Sequence, residues 1–490
     1  MIDFNQIPVN LRTPGQYVEI DNSMALNGLT GIDQKLLILG QRLSTGETAA
    51  QELVLVSSKD DAERRFGRGS MLAAMCGAAK AVNSYTEMWA VALDDDDAAV
   101  AATGSITLGG AVTASGTLFV YIAGQRVKVL AQAAATPEQV ATALVEAINA
   151  DSSLPVTSAV DGTVAEKVNI TARNKGVAGN TIDLRTNYYQ GESLPKGLTI
   201  TIEAMDGGTS NPDIADAIAA LAEERFDYIA MPWTDTANMN ALDTELEDRW
   251  GPIRQIEGLA FAAASGTQAE LQTLGNSRNN KLVTLMGAGL SPVQPCIWAA
   301  VYAAVAAFNL NNDPARPLQT LKLGGMMPPG YDKRFTRAER NMLLYDGVST
   351  YMVDVDGTCR IERAITTYQT NAYGVDDPSY LDINTLATLA YIRAQVRTRI
   401  SNRFGRHKLA KDGTPVRAGQ AIATPGSIHA ELVALFKDME SAGIVEDLEQ
   451  FKTDLVVEID NSDPNRVNAL LPPNIINQLR VFAGQVQFRL

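Results

Sequence analysis

Residues 258–308 read GLAFAAASGTQAELQTLGNSRNNKLVTLMGAGLSPVQPCIWAAVYAAVAAF. The apolar runs at 258–264 and 282–287 are short and nearly unbroken, as expected of strands buried on both faces. The segments 267–274 and 295–308 read as helices. Strand, helix, strand, helix in succession implies a mainly parallel sheet covered on both sides. The same alternation extends toward the N-terminus. A helix at 214–221 precedes a strand at 228–231, and Thr234 or Asp235 then caps a helix running to Trp250. Earlier still come a strand at 35–39, helices at 60–66 and 70–82, and a strand at 87–93.

The segment between these two halves has a different composition. Residues 105–208 are rich in Thr, Val, Gly and Ser, with strands predicted at 117–122, 126–130, 168–172 and 198–202. One helix interrupts them: Thr136 can cap it, Pro137 suits its first turn, and Val140, Leu144 and Ile148 recur every four residues. The expected fold class is therefore multidomain, α/β plus α+β. Residues 22–100 and 210–335 form a split α/β domain, and 101–209 form an inserted β-rich domain. Residues 336–477 form a C-terminal α+β domain with a helix at 336–345, strands at 350–355 and 358–364, and a long helix at 382–404. A further helix at 428–442 and a strand at 454–459 complete it.

Extended terminal arms flank these domains, at 1–21 and 478–490. The last residues read QLRVFAGQVQFRL. After Val481, Phe482, Val486, Phe488 and Leu490 fall on one face of a strand, with Ala483, Gln485, Gln487 and Arg489 on the other. Termini fray unless tied down, so an apolar strand here needs a sheet edge to complete. Near the other end, Pro14-Gly15 opens a turn and Gln16, Tyr17, Val18, Glu19 and Ile20 alternate in the same way. Both strands either pad the protein's own sheet or pair with a neighbouring molecule.

The composition excludes several classes. At 490 residues, 46% hydrophobic and 20% charged, this is an ordinary globular chain of several domains. A net charge of −15 argues against nucleic acid as the partner of the whole surface. Cys76, Cys296 and Cys359 are too scattered for a disulfide framework or a Cys-x-x-Cys metal pair, which suits a reducing compartment. No signal peptide is visible, and the most apolar helix, 296–308, is too short to cross a bilayer. A soluble protein made in the cytoplasm is expected.

Candidate chemistry is sparse. Asp354-Val355-Asp356-Gly357-Thr358 resembles the nucleophile motif of haloacid-dehalogenase-type phosphohydrolases, in which Asp354 would attack phosphorus and Asp356 would handle the leaving-group proton, with Mg²⁺. The competing reading is a hairpin with Asp356-Gly357 as a two-residue type I′ turn, and it is preferred. Asp94 to Asp97 cannot all converge on one ion and read as a solvated domain junction. His407 and His429 form no ligand pair, and neither a nucleophile elbow nor a phosphate-binding loop is present. No catalytic residue, cofactor or metal is expected. One basic stretch stands against the acidic whole: Arg393, Arg397, Arg399, Arg403, Arg406, Lys408 and Lys411 occur without an intervening acid. On the helix, Leu386, Leu389, Ile392, Val396 and Ile400 form an apolar stripe that leaves the arginines largely to the other side, as a solvated face or a site for an acidic partner. No aromatic residues alternate with the basic ones, so nucleic acid is not the expected partner.

The segments PGQYVEID (14–21), VNITARNKGVAGN (168–180) and 339–369, with RIERAITTY at 360–368, together resemble the contractile tail sheath proteins of bacteriophages, in particular the Mu-like branch. The resemblance spans essentially the whole chain, and no single motif carries it. It implies subunits in six-fold rings stacked helically around a tail tube, bounded by a baseplate and a tail terminator. Terminal arms from neighbours would complete a sheet in the C-terminal domain of another subunit. Gln16 to Ile20 and Val481, Phe482, Val486, Phe488 and Leu490 match those arms. The resemblance also implies a virion component assembled in the host cytoplasm, contracting once from a metastable extended state to drive the tube through the host envelope. It involves no ATP, no direct nucleic-acid contact and no membrane insertion by this chain. Arg393, Arg397, Arg399, Arg403 and Arg406 are the tube-facing candidates, on charge and position alone.

Overall fold

Leu36, Leu37, Ile38 and Leu39 are all fully buried, because strand β1 (Lys35–Gln41) lies inside a parallel sheet with a partner on each side. The computed structural model describes residues 29, 34–415, 417 and 419–489. The N-terminal arm candidates Gln16, Tyr17, Val18, Glu19 and Ile20, and Leu490 at the other end, lie outside the described residues. One compact unit comprises Asp33–Asn312 and Leu318–Leu386; a second contains Asp313–Pro317 and Ala387–Leu490.

In the first unit β1 is followed by β2 (Leu53–Leu55), helices α1 (Lys59–Phe66) and α2 (Met71–Val82), and β3 (Glu87–Leu93). Ser58 and Ser70 cap the two helices by accepting from Asp61 and Ala73 amides, which satisfies otherwise orphaned donors. The chain then forms β4 (Thr103–Gly109), β5 (Gly116–Ile122), β6 (Gln125–Ala131), α3 (Pro137–Ala150), β7 (Val156–Val160), β8 (Lys167–Ala172), β9 (Leu184–Thr186) and β10 (Thr199–Asp206). These strands make a four-stranded sheet, β10-β4-β8-β7, and a three-stranded one, β6-β5-β9. Thr136 and Gln139 form a reciprocal capping box at the start of α3, with Pro137 at its first position. Val140, Leu144 and Ile148 of α3 join Ile106, Leu118, Val120 and Ile170 in a core made only of residues between Ala102 and Met205.

The main sheet then resumes through α4 (Ala215–Leu221), β11 (Tyr228–Ala230), α5 (Thr236–Trp250), β12 (Leu259–Ser265), α6 (Gln268–Asn276), β13 (Val283–Gly289) and α7 (Pro295–Asn312). Helix α8 (Arg337–Tyr345) and strands β14 (Val348–Val353) and β15 (Cys359–Arg363) complete it. The strand order is β15-β14-β13-β12-β11-β1-β3-β2, parallel from β14 through β3, with an antiparallel strand at each edge. Helix α7 is buried nearly all round, which is why it reads as almost uniformly apolar.

The sequence places the start of the C-terminal domain at 336, and here the structure differs. Strand β14 pairs in parallel with β13, through Leu285↔Val348 and Met286↔Ser349, so 336–386 belong to the first unit and the division falls at 386/387. The change of character at 336 marks an antiparallel hairpin added to a parallel sheet.

Gly275, at the end of α6, shows how tightly this addition is fitted. A Cβ there would collide with the Asp346 carbonyl and come within 2.7 Å of Val348 Cγ2. Gly275→Ala is therefore expected to destabilise the first unit by about 3 kcal/mol, because backbone cannot move aside as a side chain can. Urea unfolding followed by tryptophan fluorescence checks this, since Trp89, Trp233, Trp250 and Trp298 all lie in this unit.

In the second unit α9 (Ile383–Phe404) is followed by the short strands β16 (Lys408–Leu409) and β17 (Ile422–Ala423) and by α10 (Pro425–Ser441). Then come β18 (Val445–Glu446), α11 (Leu448–Asp454), β19 (Val456–Ile459), β20 (Val467–Leu470) and β21 (Asn474–Ile475). The division between units falls within the first turn of α9. Helix α10 starts with Thr424 as cap and Pro425 in its first turn. Its Leu432, Leu435, Phe436 and Met439 meet Ile392 of α9 and Phe451 of α11, with the Phe436 and Phe451 rings stacked at 3.9 Å.

Candidate functional site

Among the described residues the second unit holds three two-stranded sheets, β16–β17, β18–β21 and β19–β20, of which the last is the longest. Strands β19 and β20 pair antiparallel from Val456↔Leu470 to Ile459↔Val467, and no third strand joins them among the described residues. Val457 and Val467 pack toward the core, whereas Val456 and Leu470, directly opposite each other, are exposed. The connecting turn is firmly built. The Asp460 carboxylate accepts from the Ser462 and Asp463 amides, the Ser462 hydroxyl and the Asn468 amide group. Those bonds hold its pKa well below the usual carboxylate range. A two-stranded sheet is marginal in water, and each outer edge presents unpaired backbone groups.

The C-terminal segment leaves from the same unit. Its root is tied. Strand β21 pairs with β18, the Ile476 amide donates to Ile444 O, and Gln478 Nε2 donates to Ala315 O at 2.9 Å. From residue 481 to 489 every side chain is exposed, and the backbone belongs to no helix or strand. Phe482 is 88% exposed and Phe488 is 80% exposed, values that no isolated soluble surface favours for phenylalanine. The sequence reads 478–490 as a strand; in the structure the described residues 478–489 join no strand ladder.

The basic helix divides into distinct environments. Arg397, Arg403 and Arg406 are exposed, while Arg393 and Arg399 are partly buried. Arg399 Nη1 donates to Glu431 Oε1 at 2.9 Å and Nη2 to Asp438 Oδ2 at 2.7 Å, tying α9 to α10. Arg403 Nε also reaches Glu431, at 3.3 Å. Arg399 thus departs from the expected outward face. Its side chain is 11% exposed, because the facing helix supplies acids that the arginine's own stretch lacks.

Asp354 and Asp356 lie in a hairpin, with a longer turn than the sequence suggests. Strands β14 and β15 pair as far as Val353↔Cys359, the Gly357 amide donates to Asp354 O, and the Asp354 amide donates to Thr358 O. Gly357 alone has positive φ, at +84°, so this is a three-residue loop closing with a glycine bulge and not a two-residue type I′ turn. Asp354 pairs with Arg360, and Asp356 accepts from the Thr358 amide and hydroxyl. Those bonds lower the Asp356 pKa, the reverse of what a proton-handling acid needs. Among the described residues no group of three or more His, Cys, Asp and Glu could hold a metal ion. The phosphohydrolase reading has no support here.

The crevice beyond the carboxyl ends of the central strands is where open α/β sheets hold small ligands. Here chain from the insertion and its flanks enters it. Gln41, at the end of β1 and fully buried, donates to Asp95 Oδ1 and Lys175 O, and Asn174 Nδ2 donates to Arg42 O. The Asp94–Asp97 run is thus a junction in which Asp95 is a structural acceptor.

Comparison with known proteins supplies the family. Residues 207–367 match the phage tail sheath protein central domain, and 375–489 match the phage tail sheath C-terminal domain. Over 487 residues the chain is 45% identical to the Mu-like prophage FluMu tail sheath protein of Haemophilus influenzae, with 99% of each covered. The chain belongs to the phage tail sheath family. Among solved structures, a sheath tail protein of Listeria innocua matches at 15% identity and a TM-score of 0.49, over 92% of this chain and 94% of that one. A second, from Desulfitobacterium hafniense, matches at 14% identity and 0.49, over 94% and 100%. In this sheath protein the two family regions meet between 367 and 375, after the β14–β15 hairpin, so the hairpin belongs to the central region.

The sequence reading missed one half of the candidate acceptor. Residues 467–470 are too short to announce a strand, but Asp460-Asn461-Ser462-Asp463-Pro464 after a β-rich run is a usable turn signal.

Proposed function

We propose that this chain is the repeating, non-enzymatic subunit of a contractile tail sheath in the virion, linked to its neighbours by exchanged terminal strands. One observation carries the reading. A single unit holds both an unpaired apolar segment, 481–489, and a two-stranded sheet with open edges, β19–β20. Each supplies what the other lacks. Strand addition pairs the exposed backbone groups, and alternate side chains cover the apolar face. Val481, Phe482, Val486, Phe488 and Leu490 form the donated strand, and Gln16, Tyr17, Val18, Glu19 and Ile20 form its N-terminal counterpart.

Copies so linked build six-fold rings stacked helically around the tail tube, from baseplate to tail terminator. Residues 101–209 lie on the outside and the C-terminal domain faces the tube. Exposed Arg397, Arg403 and Arg406 supply the tube contact; Arg399 is excluded from it by its ion pairs with Glu431 and Asp438. Assembly takes place in the host cytoplasm, and the extended sheath stores its free energy kinetically. Contraction then moves the compact domains while the strand links persist, without nucleotide, nucleic-acid contact or membrane insertion.

Electron microscopy of the purified chain across a concentration series tests the reading. Hollow tubes or six-fold rings are expected at high concentration. Monomers at every concentration contradict it.

A further inference from the structure

Several contacts gather at the point where the chain enters its central strand. The Lys35 amide donates to Asp227 Oδ2 at 3.0 Å, and the Asp227 amide donates back to Lys35 O at 3.1 Å. The Asp227 carboxylate is buried, and Arg225 holds it with Nη2 2.6 Å from Oδ1. Arg225 reaches on to Glu257, itself buried, at 3.4 Å. The Lys35 ammonium pairs with Glu224, lies 3.8 Å from Glu87 and sits 5.6 Å from the Trp89 ring centroid. One residue earlier, the Gln34 side chain accepts from the buried Tyr228 hydroxyl. Strand β1 then runs parallel to β3 from Lys35↔Glu87 to Gln41↔Leu93, and to β11 from Leu36↔Tyr228 to Ile38↔Ala230.

We infer that the Asp227–Lys35 contact, braced by Arg225, is a mechanical lock on the root of the N-terminal segment. A strand pulled from one end fails in one of two ways. If its first residue frays, the ladder opens one bond at a time; if that residue is held, the bonds on both sides must yield together. Burying a charge-assisted acceptor on the first amide of β1 favours the second route. Tension arriving through residues before Gln34 is then shared across β3 and β11. This inference rests on the arm reading, because only an arm gripped by another subunit pulls on β1.

Two measurements on the full chain test the lock without any assembly, so its failure is distinct from failure of the sheath reading. In hydrogen exchange, the Lys35 amide is expected to exchange roughly ten- to hundredfold faster in Asp227→Ala, while the amides of β13 keep their rates. An unchanged Lys35 rate overturns the lock. In single-molecule pulling, the handles are the N-terminus and Ser265→Cys, at the far end of β12; the three native cysteines are buried and leave the new thiol as the reactive one. Strand β1 is expected to leave the sheet at lower force in Asp227→Ala, and equal forces overturn the lock. If that variant does not fold, Asp227→Asn keeps an acceptor oxygen but loses the charge facing Arg225. A drop of the same sign is expected there, and its absence overturns the lock equally.

Discussion

Removing residues 481–490 is expected to leave a folded chain that no longer forms tubes at any concentration. The folded part is indifferent to the deletion because 481–489 cover none of it: every side chain there is exposed. Assembly is sensitive because the segment's value lies between molecules. Each ladder hydrogen bond contributes on the order of 1 kcal/mol net. Each of Phe482, Val486 and Phe488 contributes about 1.5–3 kcal/mol when buried, before the cost of ordering the segment. One link is weak alone, and repetition around rings and along the helix makes the lattice stable. Thermal unfolding by circular dichroism should be unchanged on deletion, while sedimentation shows monomers alone. Tubes that persist after deletion refute the link.

Arg399→Ala is expected to destabilise the second unit by about 3 kcal/mol, whereas Arg406→Ala stays within about 0.5 kcal/mol. The difference follows from burial. Arg399 is 11% exposed and Glu431 13%, so removing the guanidinium strands a carboxylate in a poorly solvated place, with Asp438 beside it. Arg406 is exposed. No tryptophan lies in this unit, so hydrogen exchange of the α10 amides is the readout. Equal effects of the two substitutions contradict the assignment of Arg399 to the interior. Under the proposed tube contact the pair also separates folding from binding, because Arg399 is held by Glu431 and Asp438 while Arg406 is exposed.

Much of the fold was legible where local signals were strong. The run 36–39 could only be a strand buried on both faces, and Thr136-Pro137 set the start of α3 through a capping box that the structure contains. Strands whose partner is distant were harder to place. The strand expected at 350–355 runs from Val348 to Val353, and nothing local shows that its partner is parallel β13 and not the start of another domain. The Asp356-Gly357 pair announced a hairpin, yet the loop length depended on register with Cys359. Similarly, the apolar stripe of α9 put the arginines on one side, but the acids that draw Arg399 inward come from α10. Strand β20 was missed because four residues, Val467 to Leu470, give too little pattern to count.

The candidate site was legible at its donor and obscure at its acceptor. Alternation in 481–489 needs no context to be read, whereas in the single chain the two faces are equally exposed. An open edge is a property of two paired strands and can be recognised only once both are placed.

The most direct test is a helical reconstruction of assembled tubes at side-chain resolution. The account predicts residues 481–489 as an added strand beside β19 or β20 of a different subunit, with Phe482, Val486 and Phe488 turned inward. A C-terminal segment that folds back onto the hairpin of its own chain, or stays unpaired within an intact tube, contradicts it.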